Sequence, residues 1–157
     1  MPNNEQARTT LYGVLAFALA GCSAEQPDTP ESRMIEARQS NFRVMKEAND
    51  AMKKEAESAD PKRAVFQESA STLSERVARI HEGFPEGTGP EAGVDTEALP
   101  AIWQRRPEFV AATNKMKRVL QQFSETAAQG DVQAIRAGVE TVGAACRECH
   151  QQFRQQS

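Results

Sequence analysis

A chain of 157 residues, 26% charged and 39% hydrophobic, accommodates one ordinary globular domain and leaves little room for a second. Its formal charge of −3, with no run of lysines or arginines, excludes a surface that tracks phosphates, so no nucleic-acid partner is expected. Glycines and prolines fall in a few short clusters and β-branched residues never alternate with polar ones over a strand's length, which predicts an all-α protein.

The N-terminus has a polar start containing Arg8, an apolar run from Leu11 to Ala20, and then small residues before Cys22. A run of about ten residues is too short to span a bilayer, which takes ~20. It suits the apolar core of a secretion signal better than a buried helix, because the polar, Pro-rich stretch Ser23 to Pro30 follows at once. The tetrapeptide Leu19-Ala-Gly-Cys22 resembles a bacterial lipobox. That resemblance implies a cleaved signal peptide at 1–21, a lipid on Cys22, a flexible tether at 22–30 and a folded domain at 31–157. A lipid-anchored protein outside the cytoplasm follows, with the outer membrane slightly favoured by Ser23 and a soluble periplasmic protein as the alternative.

Beyond Pro30, apolar residues recur at steps of three and four, which predicts four amphipathic helices. The first runs from about Glu31 to Ser58, capped by Thr29, with Ile35, Arg38, Phe42, Met45, Asn49 and Met52 on its inner seam. Asp60-Pro61 signals the start of the second, whose stripe is Phe66, Ala70, Leu73, Val77 and Ile80. A Gly- and Pro-rich loop follows from Gly83 to Asp95, then a short turn at Leu99 to Trp103. The third helix begins near Pro107 with Phe109, Thr113, Met116, Leu120, Phe123 and Ala127 inward, and Gly130 stops it. Asp131 caps the fourth, whose stripe is Val132, Ile135, Val139, Val142, Cys146, Cys149 and Phe153, so both cysteines are expected in the core. The pattern predicts an antiparallel four-helix bundle, up-down-up-down. Arg38 stands out, since a buried guanidinium needs an anion or a route to the surface.

Cys146, Cys149 and His150 leave one face of the fourth helix within ~6 Å of axial rise. Cys-x-x-Cys-His is the attachment pattern of a c-type haem, with the thiols adding to the two vinyl groups and the imidazole reaching the iron. Other uses of the pair fit less well. Two cysteines three apart in a helix suit disulfide geometry poorly. A thioredoxin-like pair belongs at a helix N-terminus after a strand. A zinc site needs four ligands, and only His81 could be added.

The segments "EARQSNF", "FPEGTGP", "ALPAIW", "AAQGDVQAIRAGVETVG" and "CRECHQQFR", spread from Met34 to Arg154, resemble the class II cytochromes c, specifically the cytochromes c′. The resemblance implies one haem c attached through Cys146 and Cys149, with His150 as the axial iron ligand. It places Arg38 beside a haem propionate, Phe42 over the distal face and Arg154 beside the proximal imidazole. In low-spin relatives a methionine at or near the Phe42 position binds the iron. Phe42 cannot do so, and Met45 is the one nearby candidate for a sixth ligand. His81 is assigned only a surface position near a helix end.

A five-coordinate, high-spin haem is therefore expected, binding nitric oxide and, weakly, CO, or transferring electrons to a redox partner that the sequence does not identify. A low-spin class II cytochrome acting only as an electron carrier is the alternative. An enzyme is not expected, since no distal histidine or acid is present to handle protons. Homodimers are common in the resembling family, and one is possible for this chain.

Overall fold

Two capping arrangements and two left-over arginines set the frame of the molecule. The computed structural model describes residues 28–156. The expected signal peptide 1–21, Cys22 and the expected tether as far as residue 27 lie outside the described residues.

Helix α1 spans Pro30–Ala56. The Thr29 hydroxyl accepts from the Ser32 amide at 3.1 Å while Ser32 Oγ accepts from the Thr29 amide at 3.0 Å, a reciprocal box that satisfies two orphan donors. Helix α2, Arg63–Ala78, starts later than Asp60-Pro61 suggests. Lys62 is still extended, with φ −87° and ψ 110°, and contributes no side-chain cap. The Asp60 carboxylate pairs with the Lys62 ammonium and leaves the helix N-terminus alone.

The chain tightens into a 3₁₀ turn at Ile80–Gly83 and a second at Pro90–Ala92. A short helix α3, Ala101–Gln104, precedes α4, Arg106–Gln129. Gly130, at φ 84°, ends α4 in the left-handed conformation that glycine adopts without a Cβ clash. Asp131 then caps α5, Val132–Phe153, its carboxylate accepting from the amides of Gln133 and Ala134.

Four long helices form the predicted bundle, and contacts between their ends fix the directions. Arg63, at the start of α2, donates to carbonyls of Ala127, Ala128 and Gly130 at the end of α4. Arg136, in the first turns of α5, donates to the carbonyls of Ala56 and Ser58 at the end of α1, both at 2.9 Å. α2 thus runs antiparallel to α4, and α5 antiparallel to α1.

The core contains the predicted stripes: Phe66, Leu73 and Val77 of α2, Phe109, Leu120 and Phe123 of α4, Ile135, Val139 and Val142 of α5. Val132 departs furthest from its stripe, 40% exposed at the first turn of α5, ahead of the point where the helix meets its neighbours. Each neighbouring pair packs along most of its length except α1 and α5, which touch least. Residues 83–99 form a strap across the end of that seam. An antiparallel bridge between Ala98 and Arg154 ties the strap to the end of α5.

Candidate functional site

The last three turns of α5 carry Cys146, Cys149 and His150, and all three are half-buried. The cysteines pack against the rim of the core, not inside it as their stripe predicts. Cys146 feels the charge of Lys53 on α1, across the pair of neighbouring long helices that touches least.

Burial in apolar surroundings raises both thiols. Cys149 is pushed up to about 11, with the neighbouring Cys146 and Glu148 adding to the effect. Cys146 rises for the same reason, opposed by the positive charges of Lys53 and Arg147. Both thiols are therefore protonated at neutral pH. Burial, joined by the Arg154 charge and opposed by Glu97, lowers His150. Its imidazole is neutral at pH 7 and keeps a lone pair for a metal.

Arg154 closes α5. Its amide donates to the His150 carbonyl at 3.0 Å, and its Nε lies 2.8 Å from Glu97 Oε2 in the strap. The amide hydrogen bond is the helix's own i→i−4 link, while the guanidinium turns to Glu97, a neighbour that sequence reasoning missed.

On α1, Arg38 is 5% exposed. Its Nη1 donates to Thr88 Oγ1 at 3.0 Å and weakly to the Gly83 carbonyl at 3.4 Å, and its Nη2 donates to Thr96 Oγ1 at 2.7 Å. The guanidinium lies 4.7 Å from the centre of the Phe84 ring. Among the described residues no carboxylate forms an ion pair with it. Desolvation pulls it down to about 10, with only the field of Glu91 opposing. It is a buried cation supplied with neutral acceptors and still lacking an anion.

Phe42, one turn along α1, is half-buried and meets Phe84 edge-on at 6.2 Å. Phe84 in turn packs on Phe109 at 5.1 Å, and Phe109 on Phe153 at 5.3 Å, so an aromatic chain runs from α1 to α5. Phe84 was missed as well. Its signal was an aromatic at the start of an otherwise Gly- and Pro-rich loop. Met45, also half-buried, has its sulfur 3.9 Å from the amide nitrogen of Asn41.

His81 is not the surface residue expected. Its Nε2 bonds Thr113 Oγ1 on α4, and its ring packs edge-on against Phe109 at 6.0 Å. Because the Thr113 hydroxyl gives its own proton to the Val110 carbonyl, His81 Nε2 is the donor. Trp103 covers the strap, its indole N–H donating to the Pro85 carbonyl at 2.9 Å.

The donor set suits a haem. Two thiols and a neutral imidazole are half-buried on α5, and Phe42, Met45 and Ala48 are half-buried on α1, the two neighbouring long helices that touch least. The unpaired cation of Arg38 suits a carboxylate-bearing ring.

Comparison with known proteins agrees. A family model described as Cytochrome C′ matches residues 33–154. The chain is 31% identical over 144 residues to the cytochrome c-554 of Cereibacter sphaeroides, an alignment covering 90% of this chain and 94% of that protein. The cytochrome c′ structure from Rubrivivax gelatinosus superposes with a TM-score of 0.71 at 28% identity, over 80% of this chain and 97% of that one. A nitric oxide complex of a mutant cytochrome c prime from Alcaligenes xylosoxidans, 24% identical over 80% of this chain and 97% of that one, shares the fold with a TM-score of 0.71.

Proposed function

Since the chain belongs to the cytochrome c′ family of c-type haem proteins, which carry a single covalently attached haem c, we propose that Cys146 and Cys149 hold that haem and His150 is its axial ligand. The haem supplies an iron that cycles between two oxidation states and takes a diatomic gas at an open position. The protein's part is to hold the ring, keep one axial position for His150 and control what reaches the other.

Phe42 controls that second position in this reading, and its packing is the observation that carries the reading. A phenyl ring held edge-on by Phe84 offers no lone pair to a metal and no hydrogen bond to a bound gas. Such a wall favours nitric oxide, which binds iron strongly without a polar partner, over dioxygen, whose bound form is polar. It leaves the iron five-coordinate and high-spin, with weak CO binding. The nitric oxide complex of the Alcaligenes xylosoxidans protein of the same fold supports the choice of gas. On the other side, Arg154 stands by the proximal imidazole, and Arg38 serves a propionate.

Electron transfer without gas binding is the second reading. It is favoured by Met45, a half-buried thioether one turn from Phe42 that could complete a low-spin site. One experiment separates the two. Ferrous holoprotein titrated with nitric oxide should change its spectrum at once and take up CO slowly. A six-coordinate low-spin spectrum indifferent to both gases would leave electron transfer alone.

Cytochromes c′ are periplasmic, and no helix among the described residues is long and apolar enough to cross a membrane. The proposal adds a lipid on Cys22, with cleavage after residue 21 and a tether to the haem domain. Labelling with a radioactive fatty acid tests this. Incorporation lost in Cys22→Ser supports the anchor, and label retained by that variant rejects it.

A further inference from the structure

The hydrogen-bond acceptors that the strap offers Arg38 are all neutral, and the Glu91 carboxylate acts on it through its field alone. Thr88 is 2% exposed and spends its own proton on the Pro85 carbonyl at 2.8 Å, so its oxygen can only accept from Arg38. Thr96 Oγ1 accepts from Arg38 and also from the Ala98 amide at 3.2 Å, which fixes its place in the strap. A Cβ at Gly83 would stand 3.0 Å from the Arg38 Cβ, so the strap presses close to α1. The guanidinium has five N–H groups. Thr88 and Gly83 take both of those on Nη1, and Thr96 takes one on Nη2. The Nε–H and the second Nη2–H have no protein acceptor among the described residues.

A strap carboxylate bonded directly to Arg38 would have neutralised the cation and competed for those two donors, whereas Glu91 acts only at a distance. Two hydroxyls instead fix its orientation and leave its charge unspent. We infer that Thr88 and Thr96 are positioning residues, which hold Arg38 so that its Nε and Nη2 donors meet a haem propionate. The inference rests on the assignment of Arg38 to a propionate and names the groups that aim it.

The midpoint potential of the holoprotein, followed against pH, tests it. Ionisation of a propionate appears as a pH-linked step in that potential. Arg38→Gln should move the step up by about one pH unit, a tenfold loss of acidity. Thr96→Val and Thr88→Val keep the side-chain volume, remove the acceptor, and should move it the same way. Thr96→Ser should restore it, and Thr96→Val added to Arg38→Gln should give no further shift. A purely structural role would lower the melting temperature without moving the step. If Arg38→Gln moves the step and neither valine variant does, the positioning role is overturned while the Arg38 assignment stands. If Arg38→Gln leaves it in place, the assignment fails and the inference with it. Should Thr88→Val fail to fold, Thr96→Val, at a half-buried position, carries the test alone.

Discussion

Glu97 and Arg154 meet at 2.8 Å and join the strap to the end of α5, one turn beyond His150. The backbone repeats the connection, with the Gln155 amide donating to the Glu97 carbonyl at 2.7 Å and the Leu99 amide to the Phe153 carbonyl at 3.1 Å. Since the neighbouring Thr96 holds Arg38, one dipeptide grips an arginine on α1 and another on α5. The strap therefore ties together the two helices that pack least against each other. Both partners of the ion pair are substantially exposed, so the charges themselves are worth only ~0–1 kcal/mol. Glu97→Gln should lower stability by no more than that, with the difference shrinking at high salt. Urea unfolding at low and high ionic strength checks this, and a loss of several kcal/mol would mean the pair holds the strap where its backbone bonds do not.

Phe42→Ala should raise the CO association rate on the order of tenfold, which corresponds to ~1.4 kcal/mol off the barrier. It removes the ring that meets Phe84 and stands over the proposed gas site. Loss of the aromatic pair alone should cost ~0.5–1.5 kcal/mol of stability. Flash photolysis of the CO complex gives the rate, and an unchanged value would place Phe42 away from the ligand path.

Gly83→Ala is expected to destabilise the fold by ~1–3 kcal/mol, since the new methyl would stand 3.0 Å from the Arg38 Cβ, which α1 holds in place. The denaturant midpoint should fall with its slope unchanged. A neutral result would show that the strap can back away from α1 without cost.

The helical stripes were legible because burial follows a period: Phe66, Leu73 and Val77, or Phe109, Leu120 and Phe123, need only a regular helix and one apolar side. Cys146, Cys149 and His150 were legible for a related reason, since their chemistry depends on spacing within a single helix. What surrounds Arg38 was not. Thr88 and Thr96 lie 50 and 58 residues away, in a loop whose path no periodicity describes. His81 was misplaced on the same ground, because Thr113, 32 residues away on α4, is what draws it inward. Asp60 looked like a helix cap and instead pairs with Lys62, because the residue after Pro61 stays extended. The half-buried state of the cysteines depends on how closely α1 approaches α5, a property of the assembled bundle.

Acid should weaken the fold partly through His81. Burial lowers its pKa from 6.5, and the Lys117 and Arg106 charges lower it further. The folded state thus favours the neutral ring. The stability this contributes is fully present above about 6.5, the unfolded value, and is lost as pH falls from there through the folded value. In His81→Gln the amide can still donate to Thr113 but does not titrate. The melting temperature of this variant should fall less than that of the wild type between neutral and mildly acidic pH, and parallel curves would show that His81 is as free to take a proton in the fold as out of it.

Covalent attachment separates the roles of the two thiols from that of the imidazole. In Cys146→Ser or Cys149→Ser one thioether remains available, so the haem should stay on the chain through denaturing electrophoresis, with an optical band altered by the surviving vinyl group. Replacing both cysteines should release the haem on denaturation even though His150 is intact. His150→Ala should do the reverse, keeping the covalent haem and changing the iron's spectrum. Haem staining and intact-mass measurement read the first property, and optical spectroscopy of the native protein reads the second. Because the thiols lie on the half-buried rim, single serine substitutions should cost little packing, and any loss of covalent haem follows from the lost sulfur. Haem surviving denaturation in the double variant would require an attachment point other than these two residues.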